Sequence, residues 1–201
     1  IEGNRVNSTD ILQTLMTKLM FCLMPKKESI IMRDEAEKGG VEITKFNILR
    51  GKLGIYEKYG YKSENMEMFK TYINGLTWGY LGELGELGQQ LKTYITDIIY
   101  NIMLFERRAA ISNKLNILEP VSKPTFRPTR PLTEIMKYIS FEYEKENYDV
   151  GFSPSSVIFY VLDSLYAPEV AKQNATITWP DEAKDLIGLG SYVYYKLDKN
   201  S

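Results

Sequence analysis

The chain contains no histidine, and Cys22 is its single cysteine among 201 residues. Without an imidazole, the serine-histidine and cysteine-histidine nucleophile systems are excluded, as is every metal site built on histidine, and zinc with them. A lone cysteine cannot close an intramolecular disulfide. Its neighbours Phe21 and Leu23 predict a buried, inert thiol, which favours a reducing intracellular compartment or a virion as the location. No stretch is long and apolar enough to span a bilayer, so no membrane span is expected. Charge of one sign is also lacking: 25 Lys and Arg face 26 Asp and Glu, for a net charge of -1 and a pI near 5.8. The long-range basic field of most nucleic-acid-binding domains is therefore missing, and only a local basic patch is left to such a role. Any chemistry must run on carboxylates, tyrosines, lysines or a magnesium-type ion held by oxygen ligands.

What is present is an ordinary globular composition, 44% hydrophobic and 25% charged, enough for one real core. The periodicity predicts a mainly α fold with one long amphipathic helix and a minor β element, with α+β as the alternative class. From a cap at Ser8 or Thr9, the residues Ile11, Leu12, Leu15, Met16, Leu19, Met20 and Leu23 recur at spacings of three and four, and Pro25 ends that helix. Ser29-Ile30-Ile31-Met32 leans toward a short strand or helical turn. Ile43 to Tyr59 reads as a helix closed by Gly60, with Phe46, Leu49, Leu53 and Tyr56 on one face, although Gly51 and Gly54 weaken it. Ser63 is expected to cap a further helix with Met66, Phe69, Tyr72 and Ile73 inward.

The next segment, Thr77 to Leu115, is the longest helical pattern, and its N-terminal end carries Gly79, Gly82, Gly85 and Gly88 at three-residue intervals. A continuous helix there would run about 55 Å, longer than a domain of this size is wide, so a kink or a protruding arm is expected, and the glycines are where it would fall. Each glycine inside a helix costs roughly 1 kcal/mol against alanine. Such a run calls for compensation by a backbone in close approach, either a helix crossing or an oligomer contact. The candidate interface is therefore Gly79, Gly82, Gly85 and Gly88 with the seam Leu84, Leu87, Leu91, Ile98 and Phe105.

At Pro120, Pro124, Pro128 and Pro131 the composition changes, with Lys123, Arg127 and Arg130 between them. This reads as an extended basic connector over 120-131 dividing a helical region, 1-119, from a C-terminal region, 132-201, that packs on the first within one structural domain. Beyond it, Leu132 to Tyr143 reads as a helix with Ile135, Met136, Ile139 and Tyr143 inward. Ser153-Pro154 opens another, which carries Val157, Ile158, Val161, Leu162 and Leu165. Ala175 to Trp179 reads as a strand, Pro180 starts a short helix, and Tyr192 to Tyr195 is a second strand candidate. Fifteen tyrosines, among them Tyr138, Tyr143, Tyr148, Tyr160 and Tyr166, supply the contact area common in protein interfaces. Asn7-Ser-Thr9 and Asn174-Ala-Thr176 match glycosylation sequons by pattern.

Two alternative sites remain. Lys123, Arg127 and Arg130 are the residues that would meet nucleic-acid phosphates, and Pro128 to Pro131 formally matches a PxxP peptide. Glu83, Glu86 and Asp97 are the carboxylates that would hold magnesium, since Glu83 and Glu86 fall three apart on one predicted helix face. The run Gly82-Glu83-Leu84-Gly85-Glu86-Leu87 resembles the metal motif of the all-α nucleoside triphosphate pyrophosphohydrolases, where paired glutamates precede a further glutamate and a later Glu-x-x-Asp. That resemblance implies magnesium-dependent nucleotide hydrolysis, though Gly82 stands in place of the first glutamate, Tyr94 in place of the one before Asp97, and the intervening loop is missing. In overall character, rich in tyrosine, isoleucine, lysine and methionine, the chain looks like proteins encoded by viruses of thermophilic archaea. This second resemblance implies a virion component or a host-interaction protein. The leading expectation is a non-enzymatic structural or assembly protein, without cofactor, that contacts itself or another protein.

Overall fold

A computed structural model describes residues 8-34, 37-112, 120-146, 153-173 and 194-199. The expected strand at 175-179, the short helix from Pro180, Tyr148 and the asparagines of both sequons lie outside them. The described residues are mainly helical with a small β component, as the periodicity predicts.

Proline removes the backbone donor that a continuing helix needs, and α1, Ser8–Leu23, stops two residues before Pro25. The apolar residues after it form β1, Ser29–Arg33, which pairs antiparallel with β4, Tyr194–Asp198. That pairing sets buried Ile30 opposite buried Leu197 and ties the two ends of the described chain together. A two-residue hairpin, β2 at Glu37–Lys38 and β3 at Val41–Glu42, leads into α2, Ile43–Leu49. The helix expected to run on to Tyr59 ends here, because Gly51 takes a left-handed φ of 69°. Leu53, expected on its inner face, is exposed. The chain resumes as a 3-10 turn, Glu57–Tyr59, closed by Gly60.

Helix α3, Glu64–Gly75, buries Met66, Phe69 and Ile73 as its spacing predicts, although the Ser63 side chain makes no capping bond. The long helical pattern after it is broken, as its length and glycine content lead one to expect. Helix α4, Trp78–Glu83, and α5, Glu86–Ser112, meet at Gly85, whose φ of 84° no continuing helix accommodates. Past the proline-rich segment, the single helix expected over Leu132 to Tyr143 is two short ones, α6, Leu132–Met136, and α7, Phe141–Glu146. Ile135, Met136, Ile139 and Tyr143 are nevertheless buried as expected. Helix α8, Pro154–Gln173, starts at Pro154 as the sequence indicates, with Ile158 and Leu162 in the core.

One hydrophobic cluster spans both sides of the proline-rich segment: Phe69, Leu81, Ile95 and Ile99 pack with Leu132, Ile135, Ile158 and Phe159. The segment itself is docked. Gly79 N–H donates to the Pro128 carbonyl at 2.7 Å, Trp78 N–H to Arg130 at 2.9 Å, and Leu132 N–H to Leu76 at 2.9 Å. Phe126 stands edge-on to Trp78 with ring centroids 5.2 Å apart.

Candidate interaction surface and buried polar network

The glycine run mediates a crossing within the chain. A Cβ on Gly88, in the first turn of α5, would overlap the Leu81 carbonyl oxygen at the end of α4, and one on Gly79 would press on Pro128. Gly82 meets only the flexible ends of Gln89 and Lys92, and Gly85 is needed for its φ. The candidate seam divides. Leu91 and Ile98 are buried in this chain's own core, which corrects their assignment to an intermolecular contact. Leu84 is half-buried against the same core, while Leu87 and Phe105 are exposed.

The candidate metal set is not assembled. Glu83 closes α4 and Glu86 opens α5, so the left-handed turn at Gly85 separates two carboxylates that a continuous helix would have aligned. Asp97, about three turns further along α5, is paired with Lys123 Nζ at 2.5 Å. Among the described residues, no group of three or more acidic, cysteine or histidine side chains is placed to hold a metal. The connector's cations are partly engaged as well. Arg130 donates to the Tyr138 hydroxyl at 3.0 Å and stacks over Tyr138 and Phe126, while Arg127 is exposed. Lysines gather instead at the far end of α1, where Lys18, Lys26, Lys27, Lys58 and Lys199 line two adjoining clefts with Glu28 and Asp198.

Helix α1 carries the feature that the sequence pattern left undirected. Thr17 and Phe21, four residues apart, mark its body-facing side: Thr17 Oγ1 lies 3.0 Å from the Tyr61 hydroxyl, and Phe21 packs on the core. The apolar stripe is on the other side. Leu15, Met16, Leu19, Met20 and Leu23 are exposed by 58, 51, 55, 36 and 72%, and Met24 extends the patch. The amphipathic helix expected from its spacing is therefore present with its apolar face turned outward. Cys22, expected to be buried, is exposed at the edge of this stripe.

A second constellation, not legible as a motif, is polar and closed. Glu42, on β3, accepts from Lys45 Nζ and, at 2.6 Å, from the Ser156 hydroxyl; Lys45 also donates to the Tyr160 hydroxyl at 2.7 Å. Ser153 lies 3.0 Å from Ser156 and 3.3 Å from Ser155, within the first turn of α8. Ser155 gives Glu144 its backbone N–H at 2.8 Å and its hydroxyl at 3.1 Å. A buried carboxylate at a helix N-terminus satisfies donors that the helix itself leaves open. Desolvation still dominates: burial pushes the Glu144 carboxyl up to about 7 against the lowering effect of the Ser153 and Ser155 hydrogen bonds. Hydroxyl, amine and carboxylate have an acid-base composition here, but Lys45, Glu144 and the three serines are all buried. The network is a clamp that joins β3 and α2 to α7 and α8. The only sequence signal for it was Ser153-Pro154 as a helix start.

On the remaining surface, Met68, Thr71, Tyr72, Gly75, Leu76, Tyr80 and Tyr166 line a groove of about 440 Å³ between α3, α4 and α8. No helix among the described residues is long and apolar enough to cross a membrane. In comparisons with family models, curated proteins and solved structures, nothing matches this chain.

Proposed function

We propose that the protein is a non-enzymatic assembly component that acts through protein-protein contact at the outward face of α1. The observation that supports this is the apolar stripe Leu15, Met16, Leu19, Met20, Leu23, exposed on the side of the helix opposite the body. Contiguous exposed apolar patches mark interaction sites on folded proteins, whereas scattered apolar residues need no explanation. Together with Met24, the stripe leaves uncovered the equivalent of roughly three whole side chains, a gross apolar gain of roughly 5–9 kcal/mol on covering it, from which the entropy cost of association is subtracted. The compositional likeness to proteins of thermophilic archaeal viruses suggests a virion as the setting for such a component. The glycine run, by contrast, is occupied inside the chain and is no longer the favoured contact.

The double substitution Leu19→Glu and Leu23→Glu tests the reading. Both side chains face away from the body, so at a protein concentration low enough for the parent to be monomeric, folding stability in urea is expected to change by no more than about 0.5 kcal/mol, while the association seen at higher concentration is lost. A stability loss of more than about 2 kcal/mol would show that the chain's own residues cover the stripe, and the proposal would fall.

A further inference from the structure

We infer that the lysine-lined clefts at the C-terminal end of α1 bind single-stranded nucleic acid along its phosphate backbone. This surface is distinct from the outward face of α1 and does not rest on the assembly reading. The net charge leaves only a local basic patch to such a role, and the fold builds one from residues far apart in sequence. Lys18 lies on α1, Lys26 and Lys27 follow Pro25 in the turn after it, Lys58 is in the 3-10 turn and Lys199 comes just after β4. Hydrogen bonds hold these segments together. Lys27 N–H donates to the Met24 carbonyl at 3.0 Å and Lys199 N–H to the Glu28 carbonyl at 2.8 Å, while Lys199 Nζ reaches the Pro25 carbonyl at 3.0 Å. The contact of Thr17 with Tyr61 keeps α1 beside the turn that carries Lys58. All five lysines are exposed. Against them stand Glu28 and Asp198, and Asp198 is already paired with Lys196 at 3.0 Å. Five lysines against two carboxylates leave a local excess of three positive charges on a chain whose net charge is -1.

The layout selects the class of anion. Lys18 and Lys58 line one cleft, of about 450 Å³, Lys26 and Lys27 the other, of about 740 Å³, and Lys199 belongs to both. Charges strung along a track fit a chain of phosphates better than one compact anion. Lysine offers a point charge with rotatable donors and no planar fork, so the contact holds the backbone without reading base sequence. Phe21 and Tyr59 stand in the wall of the smaller cleft. Aromatic side chains beside a line of ammonium groups are what unpaired bases stack on, whereas a duplex keeps its bases stacked on one another, and this favours a single strand. The connector offers less, since Lys123 is paired with Asp97 and Arg130 is stacked on Tyr138 and Phe126.

Fluorescence anisotropy with a labelled oligothymidylate about 15 residues long, across about 20 to 200 mM salt, tests this. Neutralising three to five phosphates predicts that log K falls against log salt with a slope of roughly -2 to -3.5. Lys26→Gln with Lys27→Gln is expected to weaken binding more than about tenfold at the lowest salt and to make the slope shallower by roughly 1.4. Lys123→Gln with Arg127→Gln removes the same charge from the connector and is expected to change neither. Both pairs are exposed, so each variant is expected to unfold in urea as the parent does. No binding at about 100 µM protein and the lowest salt overturns the proposal, as does binding that the cleft variant keeps or that both variants weaken equally. A duplex of equal length bound as tightly overturns the single strand as partner. Polyglutamate that displaces the oligonucleotide equally well at the same charge overturns nucleic acid and assigns the clefts to an acidic protein.

Discussion

Gly88 shows what a missing methyl group can hold in place. Its position lets the end of α4 lie directly on the first turn of α5, with the Leu81 carbonyl where a Cβ would be. Gly88→Ala must push backbone against backbone, and is expected to cost about 1–3 kcal/mol in urea unfolding. Gly82→Ala, which meets only the movable ends of Gln89 and Lys92, is expected to cost less, and equal costs would contradict the crossing described. Glu144 is the other residue whose surroundings decide its behaviour. Its carboxyl is raised from the ordinary 4.5 to about 7, so the folded chain holds a proton that the unfolded chain has released. The stability this confers is fully present below about pH 4.5 and is lost as pH rises through about 7. At 1.36 kcal/mol per pH unit the change amounts to about 3 kcal/mol. Glu144→Gln, which keeps the shape and an acceptor for the Ser155 N–H, is expected to remove that slope. Parallel pH-stability curves for the parent and the variant would show that Glu144 does not titrate in this range.

At the scale of elements, local rules held where a helix could be judged by its own spacing and failed where a neighbour was needed to judge it. α1, α3 and the start of α8 were legible, because a stripe of apolar residues or a Ser-Pro start acts within one helix. The break at Gly85 was legible as a place though not as a structure: a three-residue glycine period marks weakness, but only the docking of Pro128 and Leu81 shows what the glycines accommodate. Gly51 was legible as a weak point but not as the end of α2, and the turn between α6 and α7 was missed, since the apolar spacing runs on in sequence across both breaks. The thiol of Cys22 was misjudged for a related reason. Phe21 and Leu23, two apart on a helix, lie on different sides, Phe21 against the core and Leu23 outward, so apolar neighbours in sequence do not fix the side on which Cys22 falls. The outward position of the stripe is also why Leu19→Glu and Leu23→Glu are expected to be nearly neutral to folding, although the same change at Leu91 or Ile98 would bury a charge in the core.

At the scale of the whole molecule, the proline-rich segment behaves as part of the body. Its carbonyls accept from α4, Phe126 packs on Trp78, and the core includes side chains from before and after it. The β1–β4 pairing adds a second link between the two halves of the chain. Unfolding is accordingly expected to be one cooperative step, with far-ultraviolet circular dichroism and tryptophan fluorescence giving coincident urea transitions. Two separated transitions would mean that the regions before and after the segment fold as independent units. By itself the sequence determined the class of the fold, the absence of histidine chemistry and the existence of an apolar stripe on α1, because composition and helical period are properties of the chain alone. Which side of α1 meets the body, whether Glu83 and Glu86 share a face, and that Glu42, Lys45, Glu144 and three serines converge were decided only in three dimensions. The hydrophobic effect rewards removing apolar surface from water without specifying against what, and contacts between residues more than a hundred positions apart, such as Glu42 with Ser156, leave no local period to read.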